Sequence, residues 1–429
     1  MRPILISIVL CMGAVIWSAN NIAWSGEHHA GIIKADGRGY YAHLPATFIY
    51  NDLNFQFFDS LDGKKGKYYN QNYFYDYRQE YKGTHINKYY SGTSVAMLPF
   101  FALAHWYTKH KGGDADGYSK YYQIAISWAA IIYMLLSLIL MAKTLKLYRI
   151  SDQSIAFGLV LVVFATNWYH YVVSEPAMSH VYSIFFITWF VYLIARWNTK
   201  GKVSLPLVAA ILAVIILLRP LNGIVLLLVP GLFRDWTGFI SKCKLQLRKP
   251  QKLIIALFIG AAILSIQFII YYFQTGELFI YAYKEEGFNF RNPQIINILF
   301  SYKKGLFVYT PMLFIALWGL YSWFKKNTWQ AIWTFSFLAV LTYFLSSWWM
   351  WYYGGSFSSR VYIEYFVLFL IPLGYLLDGI KKAAGRHLIH ALLIFTLILS
   401  QFQTYQYRKM VIHWDGMTKE KYWESFTEF

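Results

Sequence analysis

The sequence predicts an all-α membrane protein, and three observations carry this prediction. The chain has 429 residues, of which 57% are hydrophobic and only 14% are charged. A soluble protein of this size could not bury so much apolar surface in one core. Many of the apolar residues fall in runs of about 20, the length of a helix that crosses a bilayer. Short loops rich in Lys and Arg separate several of these runs, which is typical of the cytoplasmic loops of membrane proteins.

Nine apolar runs are clear candidates for spanning helices. They cover residues 3–20, 121–142, 154–173, 180–196, 253–273, 305–323, 329–347, 361–378 and 388–405. The first run has the pattern of a signal peptide, with Arg2 ahead of an apolar stretch. We interpret it as a retained helix, because the run continues towards Trp24 and the chain has many further spans.

Two other apolar segments do not fit a simple crossing. Residues 92–107 are short and contain Pro99, and residues 204–233 are interrupted by the sequence RPLNG at 219–223. The positive-inside rule predicts that 92–107 lies on the outer side as a juxtamembrane or re-entrant helix. The same rule predicts that 204–233 enters the membrane and returns. Counting both arms of this hairpin gives about eleven spans, with the N-terminus inside and the C-terminus outside.

This topology places the longest loops on the outer face. We expect one transmembrane domain over residues 1–405, whose first outer loop, residues 21–120, contains juxtamembrane helices. Residues 406–429 form an extracytoplasmic C-terminal tail. Long ordered loops above a helical bundle favour a functional site on that side.

Charge and cysteine content narrow the functional class. The net charge of +18 is explained by cytoplasmic loops and by attraction to anionic lipid headgroups, so we expect no nucleic-acid partner. Cys11 lies in an apolar run and Cys243 in a basic loop, which predicts neither a disulfide nor a metal cluster. The sequence has no HExxH motif, no Walker motif and no dinucleotide-binding glycine motif, so neither a zinc site nor a nucleotide cofactor is indicated.

Arg219 lies at the apex of the predicted hairpin. Arms of about 14 and 13 residues cover roughly 20 Å each, which is less than the hydrocarbon core of about 30 Å. Arg219 should therefore be buried at depth and requires an anionic partner or a wet cavity. One candidate is a lipid phosphate, which a guanidinium binds through two parallel hydrogen bonds. The alternative is a structural pair with a carboxylate or a helix C-cap.

Three further cations and acids lie near the ends of predicted spans. Arg360 begins one span, with Glu364 four residues later on the same helical face, so the two side chains could pair. Alternatively, Arg360 binds phosphate beside Gly354 and Gly355, where the backbone can approach a ligand closely. Lys303 starts another span and is either a phosphate ligand or an ordinary snorkelling lysine.

The segment SEPAMSH, residues 174–180, supplies an acid and an imidazole at the outer ends of two spans. Glu175 could act as a second acid or as a metal ligand. His180 could act as a proton shuttle or hydrogen-bond donor, and a purely structural role stays open for it.

Asp36 lies in the glycine-rich stretch ADGRGYY of the first outer loop. A carboxylate beside several cations at a membrane surface suits transfer from a lipid-linked phosphate donor. Asp36 would take a proton from an acceptor hydroxyl, and the cations would stabilise the charge of the leaving phosphate. The alternative is a turn residue or an N-cap for the segment that follows.

The order of these segments along the chain resembles the GT-C superfamily of polytopic glycosyltransferases. The similarity is to dolichyl-phosphate-mannose protein mannosyltransferases and bacterial aminoarabinose lipid A transferases, and it spans most of residues 1–378. The segments that carry it are ADGRGYY, YSGTSVAMLPFF, SEPAMSH, LLRPLNG, KKGLFVYTP and WWMWYYGGSFSSR. The resemblance implies inverting transfer from a polyprenyl-phosphate sugar, with Asp36 as the catalytic base. The chain departs from many relatives at Gly37, where they have a second acid.

The other candidate site residues fall into two groups. The expected donor-phosphate ligands are Arg219, Arg360, Lys303 and Arg38, and the expected secondary site residues are Glu175, His180, Tyr40 and Tyr309. No cofactor is indicated, and dependence on a divalent metal stays open because some relatives use one. The expected partners are membrane lipids, a lipid-linked sugar donor and an acceptor that is a protein, a glycolipid or a wall polymer.

The implied location is a bacterial inner membrane, with the site facing the periplasm or exterior. A transporter or lipid flippase that uses the same outer cavity is the alternative. That class predicts ion-coupling residues near mid-membrane and often inverted repeats, and the sequence displays neither feature. A non-catalytic lipid-binding or assembly subunit is a third interpretation.

Overall fold

The computed structural model describes residues 2–26, 28–62 and 75–427 of the chain. Helices dominate this part of the protein, which confirms the all-α class. Its α-helices, numbered in chain order, are α1 (Arg2–Ala19), α2 (Asp36–Pro45), α3 (Phe57–Asp62), α4 (Gly92–His110), α5 (Lys120–Leu147), α6 (Asp152–Phe164), α7 (Trp168–Ser174), α8 (Ser179–Lys200), α9 (Leu205–Leu218), α10 (Trp236–Leu247), α11 (Pro250–Thr275), α12 (Ile295–Phe300), α13 (Leu306–Tyr309), α14 (Pro311–Lys326), α15 (Thr328–Ser346), α16 (Phe366–Gly379), α17 (Ala383–Arg408) and α18 (Lys419–Glu424).

Shorter elements complete the described chain. The 3₁₀ helices are His28–Gly31, Pro220–Leu232 and Arg360–Tyr365, and single π-helical turns occupy Asn20–Trp24 and Ala46–Tyr50. The strands β1 (Arg78–Tyr81) and β2 (Thr84–Asn87) form an antiparallel ribbon in which Arg78 pairs with Asn87. Lys82 and Gly83 both have positive φ in the two-residue loop, which matches the twist of a tight hairpin.

Seven helices among the described residues are long and apolar enough to cross a membrane, or up to nine if each of two bent pairs is one span. The chain is therefore a multi-pass membrane protein. The seven are four fewer than the eleven spans expected from the sequence: one expected span, residues 154–173, is bent by 57° between α6 and α7, and three others are short. The α9 helix has 14 residues, the following 3₁₀ helix has 13 and α14 has 16. Helix α4, over the expected juxtamembrane segment, is not among the candidate spans.

The interruption at RPLNG is present, and the chain turns back there. Arg219 has extended backbone between α9 and the 3₁₀ helix, because a residue that precedes a proline avoids the helical region. The return arm ends where the hairpin began: the backbone N–H of Arg234 donates to Asn198 Oδ1 at 3.4 Å. Residues 204–233 thus form a hairpin made of a helix followed by a 3₁₀ helix.

The bundle has two chemically different ends. At one end, Asn327 Nδ2 donates to the carbonyl of Arg234 at 3.1 Å, so the basic loops around residues 196–202, 234–252 and 325–328 meet. Helices α8 and α9 run from this end to the opposite one, where Arg219 contacts His180. The polar cavity described below lies at that opposite end.

Candidate functional site at the polar end of the bundle

A cavity of about 990 Å³ opens among the loops at the polar end. Its size is at the upper end of the range for small-molecule sites. Seven stretches of chain line it: residues 34–40, 75, 88–90, 170–175, 218–221, 281–288 and 348–360, with further contributions from residues 407–414. The loops are tied together, since the backbone N–H of Asn289 donates to the carbonyl of Ser347 at 2.6 Å.

Asp36 is the first residue of α2 and reaches into this cavity. Its Oδ2 accepts a hydrogen bond from Arg360 Nη2 at 2.7 Å, and its Oδ1 accepts one from the Tyr89 hydroxyl at 2.8 Å. The carboxylate is still 25% exposed. Asp36 is therefore not an N-cap, the alternative left open by the sequence, but an oriented carboxylate that a ligand can reach.

The backbone around Asp36 is built for close packing. Ala35 has a φ of 46°, a conformation that a residue with a side chain adopts at a cost and that often marks functional sites. A Cβ added to Gly37 would lie 2.7 Å from the Cβ of Ala177, and one added to Gly39 would overlap the Tyr89 ring. The two glycines of ADGRGYY are thus required so that α2 can approach the neighbouring loops.

Arg360 is oriented by contacts on two sides. Its Nη2 also donates to the backbone carbonyl of Tyr353 at 2.9 Å. Tyr353 and Gly354 both have positive φ, and this turn directs the carbonyl towards the guanidinium. Arg360 is thus fixed at the cavity wall, within reach of an anion that enters the cavity.

Arg219 belongs to a second, more buried group of charges. Its Nη1 lies 3.1 Å from His180 Nε2, and its Nε lies 3.5 Å from Glu364 Oε1. His180 Nδ1 lies 2.8 Å from the same Glu364 oxygen. This pattern assigns the Nδ1–H tautomer to His180, which donates to Glu364 and accepts from Arg219. The structural pair with a carboxylate that the sequence left open is therefore present, and Arg219 still lines the cavity.

Glu175 provides a second carboxylate in the cavity wall. Its Oε1 lies 3.6 Å from His170 Nε2 and 3.9 Å from Lys34 Nζ. Burial alone would raise the pKa of Glu175, but His170 and the cationic Lys34 outweigh burial and lower the pKa to about 2. Glu175 is therefore ionised at neutral pH.

Aromatic side chains form much of the remaining wall. They include Tyr40, Tyr75, Tyr89, Tyr90, Tyr281, Tyr283, Phe288, Trp348, Trp349, Tyr353, Tyr407 and Trp414. Burial and the charge of Asp36 raise the pKa of Tyr89 well above its usual value. The Tyr89 hydroxyl therefore stays protonated and acts as a donor to Asp36.

Five of the residues singled out in the sequence line the cavity. They are Asp36, Arg219, Arg360, Glu175 and Tyr40. Asp36 and Tyr40 are four residues apart in α2, so they share one helical face. The structure thus brings together residues that are more than 300 positions apart in the chain.

Four other singled-out residues lie outside the cavity lining. Arg38 is fully buried, with its guanidinium 5.1 Å from the centre of the Phe58 ring, because two residues along a helix is a rotation of about 200° from Asp36. His180 lies behind Arg219. Tyr309 is buried and donates to the carbonyl of Tyr302 at 2.5 Å.

Lys303 is the fourth. Its Nζ lies 4.0 Å from Asp415 Oδ1 and 3.4 Å from the centre of the Tyr352 ring. Its neighbour Lys304 is buried and donates to the backbone carbonyls of Ser356 and Trp414. The lysine pair therefore fastens the chain after α17 to the cavity rim.

Sequence reasoning missed several residues of the site. Tyr89 orients Asp36, and Lys88 lies in the cavity with its Nζ 2.5 Å from Glu286 Oε1. His170 lines the wall beside Glu175. Tyrosines and lysines are common in the loops of this chain, so no spacing or motif marked these positions. The approach of residues 88–90 to α2 identifies Tyr89 and Lys88 as site residues, and the packing of α7 beside the cavity identifies His170.

The described residues contain no cluster of three or more His, Cys, Asp or Glu side chains placed to hold a metal ion. Comparison with known proteins adds no assignment: no protein-family model matches the chain, and no curated protein matches it significantly.

Proposed function

We propose that this protein is an inverting glycosyltransferase that moves a sugar from a polyprenyl-phosphate donor to an extracytoplasmic acceptor. The observation that carries the proposal is the exposed carboxylate of Asp36, oriented by Tyr89 and Arg360 in a large cavity beside apolar helices. A GT-C-like arrangement with about eleven spans belongs to this proposal. The acceptor class is a protein, a glycolipid or a wall polymer.

In this reaction Asp36 acts as the general base. The acceptor oxygen attacks the anomeric carbon of the sugar and loses its proton to Asp36. The bond between the anomeric carbon and the phosphate oxygen breaks, and the electron pair leaves with the polyprenyl phosphate. Arg360, 2.7 Å from Asp36, is close enough to the reacting atoms to stabilise the charge on the leaving phosphate.

Arg219 is the second phosphate-side residue. Glu364 and His180 hold its guanidinium at the cavity wall, so little side-chain freedom is lost when it binds an anion. Cationic side chains in the described cavity wall outnumber acidic ones: Lys34, Lys88, Arg219, Arg360 and Arg408 against Asp36, Glu175 and Glu286. A lipid phosphate would balance this excess of positive charge.

The distribution of basic loops supports an outward-facing cavity. The Lys- and Arg-rich loops around residues 196–202, 234–252 and 325–328 meet at the end of the bundle opposite the cavity. By the positive-inside rule that end is cytoplasmic. We therefore propose that the site faces the periplasm or exterior, and we keep the bacterial inner membrane that the resemblance implies as the proposed location.

Transfer assays in proteoliposomes test the proposal. The purified chain is given a panel of radiolabelled undecaprenyl-phosphate sugars and a membrane extract as the acceptor source. We expect label to move to acceptor only with the wild-type chain, and Asp36→Asn to lower the rate by about 10²- to 10⁴-fold. A matched change in the same helix, Tyr41→Phe, should retain most of the activity, because Tyr41 is buried outside the cavity lining. Full activity of Asp36→Asn would remove the proposed base.

The same proteoliposomes separate a transporter or flippase from an enzyme. Movement of a labelled polyprenyl phosphate across the bilayer without any acceptor, at a rate that Asp36→Asn leaves unchanged, would favour the transport alternative. We expect no such flux.

A further inference from the structure

Helix α10, Trp236–Leu247, lies at the basic end of the bundle, away from the cavity. It is bent by 110° from the 3₁₀ helix Pro220–Leu232 that precedes it. Its axis therefore runs across the direction of the hairpin arm. None of its residues is buried in the protein, although several are apolar.

One side of α10 contacts the protein. Phe239 packs on Phe233 with ring centres 5.2 Å apart. Lys242 donates to the carbonyls of Trp197 and Asn198 near the end of α8, where a helix C-terminus presents carbonyls without partners in the helix. These contacts fix the rotation of α10 about its axis.

A second side carries an apolar stripe that the protein covers only in part, since Ile240 is half-buried and the other two residues of the stripe are exposed. Trp236, Ile240 and Leu247 lie within about 40° of one another at 100° per residue. Trp236 is 48% exposed and Leu247 is 66% exposed. Because the contacts of Phe239 and Lys242 fix the helix, this stripe cannot rotate into the core.

Basic side chains surround the stripe. The segment 234–252 contains Arg234, Lys242, Lys244, Arg248, Lys249 and Lys252. Its acidic residue, Asp235, is already engaged as the N-cap, because it accepts from the backbone N–H of Gly238 at 2.7 Å. Further cations come from the adjoining loops, at Arg196, Lys200, Lys202, Lys325 and Lys326.

We propose that α10 is an interfacial anchor that lies in the headgroup layer of an anionic bilayer. The stripe of Trp236, Ile240 and Leu247 inserts among the acyl chains just below the headgroups, and Lys244 and Arg248 contact lipid phosphates. This combination of an apolar stripe and flanking cations is the pattern of interfacial helices.

Three observations indicate that a bilayer, and not another protein, covers this stripe. Only two residues separate α10 from α11, Pro250–Thr275, so the chain is already at the membrane surface when it leaves α10. In α11 only 11% of the spanning window is buried in the protein, which makes it a lipid-facing span. The surrounding positive charge is complementary to anionic headgroups, and each Lys or Arg near such a surface strengthens binding by about fivefold. This inference does not depend on the chemistry of the cavity.

Spin labels on the full-length chain in nanodiscs test the proposal. In a background of Cys11→Ala and Cys243→Ser, Leu247→Cys places the label on the stripe. The matched control is Leu245→Cys, two residues away on the opposite side of the same helix and 54% exposed. In discs with equal phosphatidylglycerol and phosphatidylcholine, we expect the label at 247 to be accessible to oxygen and shielded from a nickel chelate. The label at 245 should be accessible to the chelate.

The dependence on lipid charge completes the test. Pure phosphatidylcholine discs, or Lys244→Gln with Arg248→Gln in the mixed discs, should increase chelate access at 247 severalfold, whereas inorganic phosphate should not change it. Equal chelate access at 247 and 245 in anionic discs would overturn the proposal. So would shielding at 247 that appears only with two copies of the chain per disc, since the occupant would then be a second copy. If a cysteine variant does not fold, amide hydrogen exchange in the unlabelled wild type replaces the spin labels. We expect residues 236–248 to exchange more slowly in anionic discs than in pure phosphatidylcholine discs.

Discussion

Two carboxylate–arginine groups at the cavity use the same residue types for different purposes. Asp36 pairs with Arg360 and is 25% exposed, whereas Glu364 holds Arg219 and is 1% exposed. The first carboxylate is open to a ligand, and the second is committed to the protein. Both groups contain a carboxylate and an arginine, so residue type does not distinguish them. Access to the cavity does: Asp36 can act as a base because a ligand reaches it, whereas Glu364 can only hold Arg219 in place.

The geometry of residues 360–365 explains why the two groups are separate. Arg360 and Glu364 are four residues apart and would share a face of an α-helix, but Arg360–Tyr365 is a 3₁₀ helix. With three residues per turn, positions four apart diverge by about 120°. The pairing of Arg360 with Glu364, one of the two alternatives that the sequence left open, is therefore not formed: Arg360 contacts Asp36, and Glu364 contacts His180 and Arg219.

The largest expected effect in this comparison is on stability. Glu364→Gln should lower the free energy of unfolding by about 3 kcal/mol, because it removes the charge of the buried carboxylate that both Arg219 and His180 contact. The measurement is thermal unfolding of the purified chain in detergent. Asp36→Asn serves as the control and should cost less, because water in the cavity reaches the carboxylate of Asp36, which is 25% exposed, whereas that of Glu364 is 1% exposed. Equal destabilisation by both substitutions would contradict the distinction drawn between the two groups.

The next largest effect is on substrate binding and turnover at the pair of Asp36 and Arg360. Arg360→Lys keeps the charge but loses the planar fork that reaches both Asp36 and an incoming phosphate. We expect kcat/KM for the lipid-linked donor to fall roughly tenfold, the equivalent of one charge-assisted hydrogen bond. Arg408→Lys, at the cavity rim, is the matched control and should change it by less than about twofold. Unchanged kinetics in Arg360→Lys would exclude direct phosphate recognition by Arg360.

The smallest effect concerns Lys304, which connects the chain after α17 to the cavity rim through hydrogen bonds to the carbonyls of Ser356 and Trp414. Burial lowers the pKa of Lys304 from 10.5 to about 7. Between these values the unfolded chain holds a proton that the folded chain releases, so this residue makes the protein more stable as the pH rises from 7 towards 10.5. The gain should be about 1 kcal/mol between pH 7 and pH 8.

Thermal unfolding of wild type, Lys304→Met and Lys303→Met at pH 7 and pH 8 measures this contribution. Lys304→Met should remove the pH-dependent increment, while Lys303→Met, on a partly exposed neighbour, should keep it. If Lys304→Met still becomes more stable between pH 7 and pH 8, the increase in stability comes from the titration of a residue other than Lys304.

Local patterns in the sequence predicted part of the site. The break at Arg219 follows from Pro220. The assignment of Arg38 as a phosphate ligand does not fit its position, because helical spacing turns it away from Asp36 into the core. Lys303 was expected at a phosphate, but its contacts are Asp415 and Tyr352, which depend on how the chain after α17 folds back.

The sequence by itself determined the membrane class, the apolar helices and the basic loops, because these depend on composition and on periodicity over neighbouring residues. The tertiary structure alone decided which carboxylate faces the cavity and which is buried. Asp36 meets Tyr89 and Arg360, 53 and 324 positions away, and no local pattern encodes contacts across such distances. Charge pairing inside a bundle is chosen by helix geometry and by access to water, and both become defined only when the helices have packed.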